Sequence, residues 1–316
     1  MKKNFFTNIL IGVFIFGIAF YLGSIFRSSK SQNQKTVSLD EASNRAIDYI
    51  NRYLLKENYK ASLIDKVLDD KSGLYKIKFR VKNQEVDAYL TRNGNYLLFD
   101  GVDITMSPQE RALSNIPKKD FSEALLFVMS YCPFGNQAEE TVYPVVKLLG
   151  EKAKIEPHYV IYQNYMNGSS DYCLENGKYC SMHGIKELNQ DLREMCIFKY
   201  QKDKFWDYLM EVDKKCDLKN IDVCWQEVAK KHQIDIEKIK ECQKNEATSL
   251  LEKEVSLNKK YQVTGSPTLI INGALYQGER KPESYKQAIC AGFSKPPKEC
   301  QQKLATSANS SSGSCR

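Results

Sequence analysis

Three histidines, no Cys-x2-Cys pair and no long run of basic residues are the first features of this 316-residue chain, and each absence removes a class of function. Without a Cys-x2-Cys knuckle the usual framework of a tight zinc site is missing. Cys173, Cys180, His183 and Cys196 still form a Cys3His set, so zinc stays as a competing use of those four residues. His158 and His232 carry no motif and read as structural. The net charge of +7 comes from lysines interspersed with glutamates, as in Glu237-Lys238-Ile239-Lys240-Glu241. That is the pattern of a solvated surface, and it argues against a nucleic-acid partner. No lipobox cysteine follows the apolar N-terminal run.

That run, Asn4 to Phe26, is uncharged and rich in Ile, Phe and Gly, and it lies behind Lys2 and Lys3. As a helix it would be about 34 Å long, enough for a bilayer core of about 30 Å. The small-residue triplet Gly17-Ile18-Ala19 lies inside the run rather than after it, which favours a retained anchor over a cleaved signal peptide. Arg27 and Lys30 balance Lys2 and Lys3, so loop charge leaves the orientation open. The 10 cysteines decide it, because so many in one chain argue for an oxidising compartment. The expectation is a single-pass protein of the cell membrane with its soluble domains outside the cytoplasm.

With 42% hydrophobic and 27% charged residues the chain suits two modest domains. After an anchor at 1–27 and a linker at 28–36, residues 37–105 read as a small α+β domain. Ser38-Leu39-Asp40-Glu41 has capping-box spacing, and Ala42, Ala46, Ile50 and Leu54 recur at helical intervals. Strand alternation follows at Tyr75, Ile77, Phe79 and Val81, resumes at Val86, Ala88 and Leu90, and ends with Tyr96 to Phe99. Residues 106–119, with Pro108 and Pro117, read as a second linker. A domain over 120–304 contains a helical insertion at about 165–261, and the Ser-rich 305–316 reads as a disordered tail.

Two stretches of the second domain carry the chemistry. Leu125 to Met129 is an apolar strand-like run, and Ser130-Tyr131-Cys132-Pro133-Phe134-Gly135 turns from it into a helix-like segment. Cys132 then sits at a helix N-terminus, where backbone N–H groups and the helix dipole favour a thiolate, and Pro133 fits the first turn. Far downstream, Val263-Thr264-Gly265-Ser266-Pro267-Thr268 leads into the apolar run Leu269 to Ile271 and the hairpin signal Asn272-Gly273. Together these stretches resemble the thioredoxin superfamily, and their spacing is similar to its DsbA-like branch. The fold class so implied is an α/β thioredoxin-like fold with a helical insertion. The resemblance implies a cis-proline at Pro267 facing Cys132, with Pro133 completing the catalytic motif. It also implies substrate contacts from Tyr131, Phe134, Ser266 and Thr268. The chain departs from the family's two-cysteine motif, because Gly135 stands at the second position. The small domain is in turn similar to the cystatin-like modules that precede the thioredoxin domain in periplasmic disulfide isomerases, with Tyr89-Leu90-Thr91-Arg92-Asn93-Gly94 as the nearest stretch.

Apart from Cys132 and Cys315, eight cysteines remain. Local spacing suggests Cys173 with Cys180, Cys216 with Cys224 and Cys290 with Cys300, leaving Cys196 with Cys242, one of 105 formal pairings. Cys180-Ser181-Met182-His183-Gly184, with Glu187 and Cys196 after it, resembles a segment of the lysosomal thiol reductase family, which implies a structural bridge at Cys196. His183 is a possible accessory to Cys132, with a surface or capping role as the plainer reading.

Two functions compete. In one, Cys132 is a single nucleophile exchanging disulfides with secreted or membrane protein clients, served by an external thiol and with Cys315 as a conceivable resolver. In the other, a non-catalytic module holds extended client chains along the Pro267 edge. Neither calls for a cofactor or a metal.

Overall fold

A computed structural model describes residues 36–56, 58–99, 104–304 and 313–315. The chain divides into two compact units, Met1–Asp103 and Ile104–Arg316. The anchor expected at 1–27, and all but the last residue of the first linker, lie outside the described residues. Among the described residues no helix is long and apolar enough to cross a membrane.

In the first unit, helix α1 (Leu39–Tyr49) starts where the Ser38 side chain accepts the Glu41 N–H at 3.1 Å, satisfying one of the free amides of the first turn. A π-turn, Ile50–Leu54, ends it. Ala42, Ala46 and Ile50 pack on an antiparallel sheet of β1 (Ala61–Asp69), β2 (Leu74–Val81), β3 (Gln84–Leu90) and β4 (Leu97–Leu98), in that order. Tyr75, Ile77 and Phe79 point into the core while Lys76, Lys78 and Arg80 do not, as a half-buried strand requires. Strand β1 is absent from the sequence-based reading. Its register shifts between Leu63 and Asp65 and it leaves Ile64, Val67 and Leu68 exposed, so its polar and apolar positions do not alternate.

The second unit opens with α2 (Pro108–Ser114), started by a full capping box in which Ser107 and Glu110 serve each other's backbone N–H. The expected linker at 106–119 is therefore corrected: it holds a helix of this unit, and Gln109 donates to the Ser284 carbonyl at 3.2 Å. Then follow β5 (Glu123–Val128), α3 (Pro133–Leu149) and β6 (Lys154–Tyr159). The opening stretch of the expected insertion is corrected too. It is a small hairpin, β7 (Cys173–Leu174) and β8 (Tyr179–Cys180), turned by Glu175, Asn176 and Gly177 at positive φ. Helices α4 (Ile185–Tyr200), α5 (Lys202–Lys215), α6 (Ile221–Lys231) and α7 (Ile236–Tyr261) complete the insertion. Strands β9 (Thr268–Ile271) and β10 (Ala274–Leu275) and helix α8 (Pro282–Ala291) close the unit.

The sheet order is β10-β9-β5-β6, with β6 parallel to β5 and β9 antiparallel to both β5 and β10. Strand β5 is central and buried on both faces. Leu126 and Val128 join one apolar cluster, while Leu125, Phe127 and Met129 join a second that contains Cys132. Strand β6 occupies 154–159. As an edge strand it tolerates Pro157, and its outer groups are met by α7: Glu254 accepts the Tyr159 N–H and Asn258 accepts the Ile161 N–H. Asn272 and Gly273, at φ 51° and 93°, make the tight β9–β10 turn.

Five disulfides are present: Cys173–Cys180, Cys196–Cys242, Cys216–Cys224, Cys290–Cys300 and Cys132–Cys315. The first four match the pairing suggested by local spacing. Cys196–Cys242 ties α4 to α7 across a sequence separation of 46, the longest loop of those four. Replacing both cysteines by alanine should lower the unfolding free energy by about 3–4 kcal/mol, read from chemical denaturation of the oxidised protein.

Candidate active site

Cys132 caps α3 with extended φ/ψ of −80° and 115°, and Pro133 follows in the first helical turn. The Cys132 N–H donates to the Met129 carbonyl at 3.0 Å, which folds the end of β5 into the turn, and the residue is 0% exposed. Opposite it the Ser266–Pro267 peptide bond is cis. Ser266 works in two directions: its Oγ accepts the Met129 N–H at 3.0 Å, and its carbonyl oxygen lies 3.5 Å from Cys132 Sγ. The structure thus brings together Cys132, Pro133, Ser266 and Pro267. Thr268 spends its hydroxyl on the Gly265 carbonyl at 2.7 Å and pairs with Phe127 in the sheet.

Gly135 explains the missing second cysteine of the motif. A Cβ there would lie 2.6 Å from Ser266 Oγ and 3.4 Å from Cys132 Cβ, so the hydroxyl already fills the space a side chain needs.

The sulfur partner comes from the C-terminus instead. Cys315 is bonded to Cys132 across a sequence separation of 183. It also pairs antiparallel with Ser266: the Ser266 N–H donates to the Cys315 carbonyl at 2.9 Å and the Cys315 N–H donates to the Ser266 carbonyl at 2.8 Å. Two expectations are corrected by this. Cys132 is not a solitary thiol, and Gly313 to Cys315, expected within a disordered tail, form a docked segment beside Pro267. Arg280 donates to the Gly313 carbonyl, and Phe134, expected to touch substrate, meets Gly313. A cleft of about 540 Å³ runs along this edge, lined by Pro267, Thr268, Tyr276, Arg280, Tyr285 and Ser314.

Behind the turn lies a polar layer supplied by α4. Glu187, 0% exposed, accepts the Tyr131 N–H at 2.9 Å and holds His183 Nδ1 at 2.7 Å. His183 therefore reaches the Cys132 turn through a shared carboxylate, and Glu187 raises its pKa against the opposing effect of partial burial. Burial, with Glu194 nearby, pushes the Tyr131 phenol up. Asp191 accepts the Ser130 hydroxyl at 2.5 Å, and Glu194 accepts it at 3.0 Å. Burial raises Asp191, Glu139 and Asp213 well above the ordinary carboxylate range, reinforced by neighbouring carboxyls, and pushes Glu194 up to about 7. Sequence reasoning missed this cluster. Its signal was the spacing of Glu187, Asp191 and Glu194, four and then three apart on one helix face among Leu188, Leu192 and Met195. Cys173 and Cys180 are bonded to each other and Cys196 to Cys242, so the three cysteines of the Cys3His set are engaged in bridges.

A cysteine at a helix N-terminus, facing a cis-proline at the end of a sheet of this order and with a helical insertion, gives the second unit a thioredoxin-like fold. Comparison with known proteins leads to receptors. The family described as "Vacuolar sorting receptor thioredoxin-like domain" matches residues 140–290. Vacuolar-sorting receptor 1 of Pisum sativum is 25% identical over 175 residues, 46% of this chain and 28% of the receptor. Vacuolar-sorting receptor 7 of Arabidopsis thaliana is 27% identical over 169 residues, 43% of this chain and 27% of the receptor. The match thus spans little more than a quarter of these relatives. Among solved structures, oxidised BdbD from Bacillus subtilis is 18% identical, covering 59% of this chain and 92% of its own at a TM-score of 0.40. Reduced DsbA from Mycobacterium tuberculosis is 15% identical, covering 60% and 92% at a TM-score of 0.40.

Two outcomes follow from the geometry. Gly135→Ala should destabilise the protein by about 1–3 kcal/mol through overpacking, and adding Ser266→Ala should recover part of that loss, a non-additivity read from denaturant midpoints. The buried carboxyls bind protons more tightly folded than unfolded, so the stability they contribute is fully present below the ordinary carboxylate range and is lost as pH rises, for Glu194 through about 7. Glu194→Gln should flatten that fall by about 1–3 kcal/mol in pH-dependent thermal unfolding.

Proposed function

We propose that this chain carries out thiol–disulfide exchange on cysteine-containing secreted or membrane protein clients. It would do so outside the cytoplasm, held to the cell membrane by its apolar N-terminal run. The observation that carries the reading is the Cys132–Cys315 bridge, seated at the N-terminus of α3 and paired on the Ser266–Pro267 edge.

Cys132 is fully buried while Cys315 is half-buried, so an external thiolate reaches Cys315 first. It bonds to the Cys315 sulfur, the Cys132–Cys315 bond breaks, and Cys132 leaves as a thiolate stabilised by the helix N-terminus. A second thiol of the donor then frees Cys315, leaving the protein in its dithiol form and the donor as a disulfide. With the edge vacated, a client disulfide pairs there and Cys132 attacks it, releasing one client thiolate. Cys315 attacks the mixed disulfide at Cys132, restores the bridge and releases the second client thiolate. Two electrons pass from donor to client. If the released client thiolate instead attacks another client disulfide and the new thiolate displaces Cys132, the outcome is isomerisation with no net electron transfer.

A second reading, a client-holding module, is favoured by one finding: the named relatives are receptors, and the matched segment includes Pro267 but not Cys132. The full-length protein separates the two. Cys315→Ser should lengthen the lifetime of mixed disulfides at Cys132 by about tenfold or more, as expected when a resolving thiol is removed, and Cys132→Ser should abolish both those adducts and client refolding. Unchanged lifetimes would sink the resolver, and full refolding activity in Cys132→Ser would favour the holding module.

A further inference from the structure

We infer that the strand site beside Pro267 selects client segments with glycine two residues ahead of the reacting cysteine, with Phe134 as its specificity-determining residue and Arg280 as a positioning residue. The inference rests on the exchange reading above and names the substrate class of the same site. Gly313-Ser314-Cys315 occupies the edge a client must use, antiparallel to Ser266 and bonded through sulfur to Cys132. Its side-chain requirements are therefore those of a client in the same register.

At the position two before the cysteine there is no room. A Cβ on Gly313 would fall 2.1, 2.2 and 2.6 Å from Cζ, Cε1 and Cε2 of Phe134. The demand for glycine here is steric, because the Phe134 ring occupies the space a side chain would need. The Phe134 ring packs against the cluster that contains Cys132, Val160 and Ile270, so moving it aside opens those contacts. At the next position the constraint disappears, because Ser314 borders the cleft with Thr268 and Tyr276. Arg280 grips the Gly313 carbonyl, a group every residue has, so it positions the strand without reading its side chains. The expected recognition element is Gly-x-Cys in an extended segment.

The test uses the full-length Cys315→Ser protein, reduced, and two synthetic peptides, one with Gly-Ser-Cys and one with Leu-Ser-Cys. Each peptide cysteine is activated as a mixed disulfide with an aromatic thiol. Release of the aromatic thiol reports the rate, and mass spectrometry locates the adduct on Cys132. The glycine peptide should react about tenfold faster or more, the equivalent of an overpacking cost of about 1.4 kcal/mol or above. Phe134→Leu should bring the two rates close together, whereas Arg280→Ala should slow both alike. As a second measurement, Gly313→Leu in the otherwise native chain should shift the Cys132–Cys315 equilibrium towards the open dithiol by about tenfold at a fixed thiol-to-disulfide ratio. Equal rates for the two peptides, or a preference that survives Phe134→Leu, would overturn this inference alone. No adduct with either peptide would overturn the exchange reading and this inference with it.

Discussion

The hydrogen bond from the Met129 N–H to Ser266 Oγ holds the site together, because it joins the end of the central strand to the loop carrying the cis-proline. The backbone of Ser266 is thereby left facing outward with its N–H and carbonyl available to a passing strand, and Cys315 takes both. The same hydroxyl occupies the space beside Gly135. One small side chain thus sets the gap across which sulfur chemistry happens and denies the helix a second sulfur of its own. The partner sulfur comes from Cys315, carried in along the Ser266 backbone.

Behind that gap the chain buries several carboxyl groups with few cations among them. Buried carboxylates are costly, and the least costly state for most of these is the neutral acid. Glu187 is used differently: its two oxygens gather the Tyr131 N–H, the His183 backbone and ring, and the Ser181 hydroxyl, so the turn before Cys132 is tied to the insertion. The front of the turn is organised by backbone dipoles that favour an anion. Its back is lined by buried carboxyls, most of which hold a proton more tightly than they would in water.

The parts legible in the sequence were those written in local code. Cys132-Pro133 announced a helix start, Ser266-Pro267 an irregular strand entry, and Asn272-Gly273 a tight turn, since each depends on the conformational limits of a few adjacent residues. Bridges between cysteines seven to ten residues apart were legible for the same reason. The place of strand β6 was not legible, because His158 and the Tyr159 N–H draw their partner, Glu254, from α7, 95 to 96 residues away. The helix at Pro108–Ser114 was hidden by its proline, which is harmless in a first turn. The bond between Cys132 and Cys315 had no local signature at all. It depends on where the fold delivers the two ends of a loop, and composition alone made the final residues look like a mobile tail.

That bond also closes most of the second unit into a covalent ring. In the chain-entropy description a loop of this length restricts the unfolded chain by about 5 kcal/mol. Linkage makes the effect reciprocal: whatever the ring adds to the stability of the fold, the fold adds to the persistence of the ring. A thiol donor that opens the bridge therefore does more than deliver electrons. It converts a cyclic protein into a linear one, and every turnover carries the molecule between a state that resists unfolding and one that is easier to unfold.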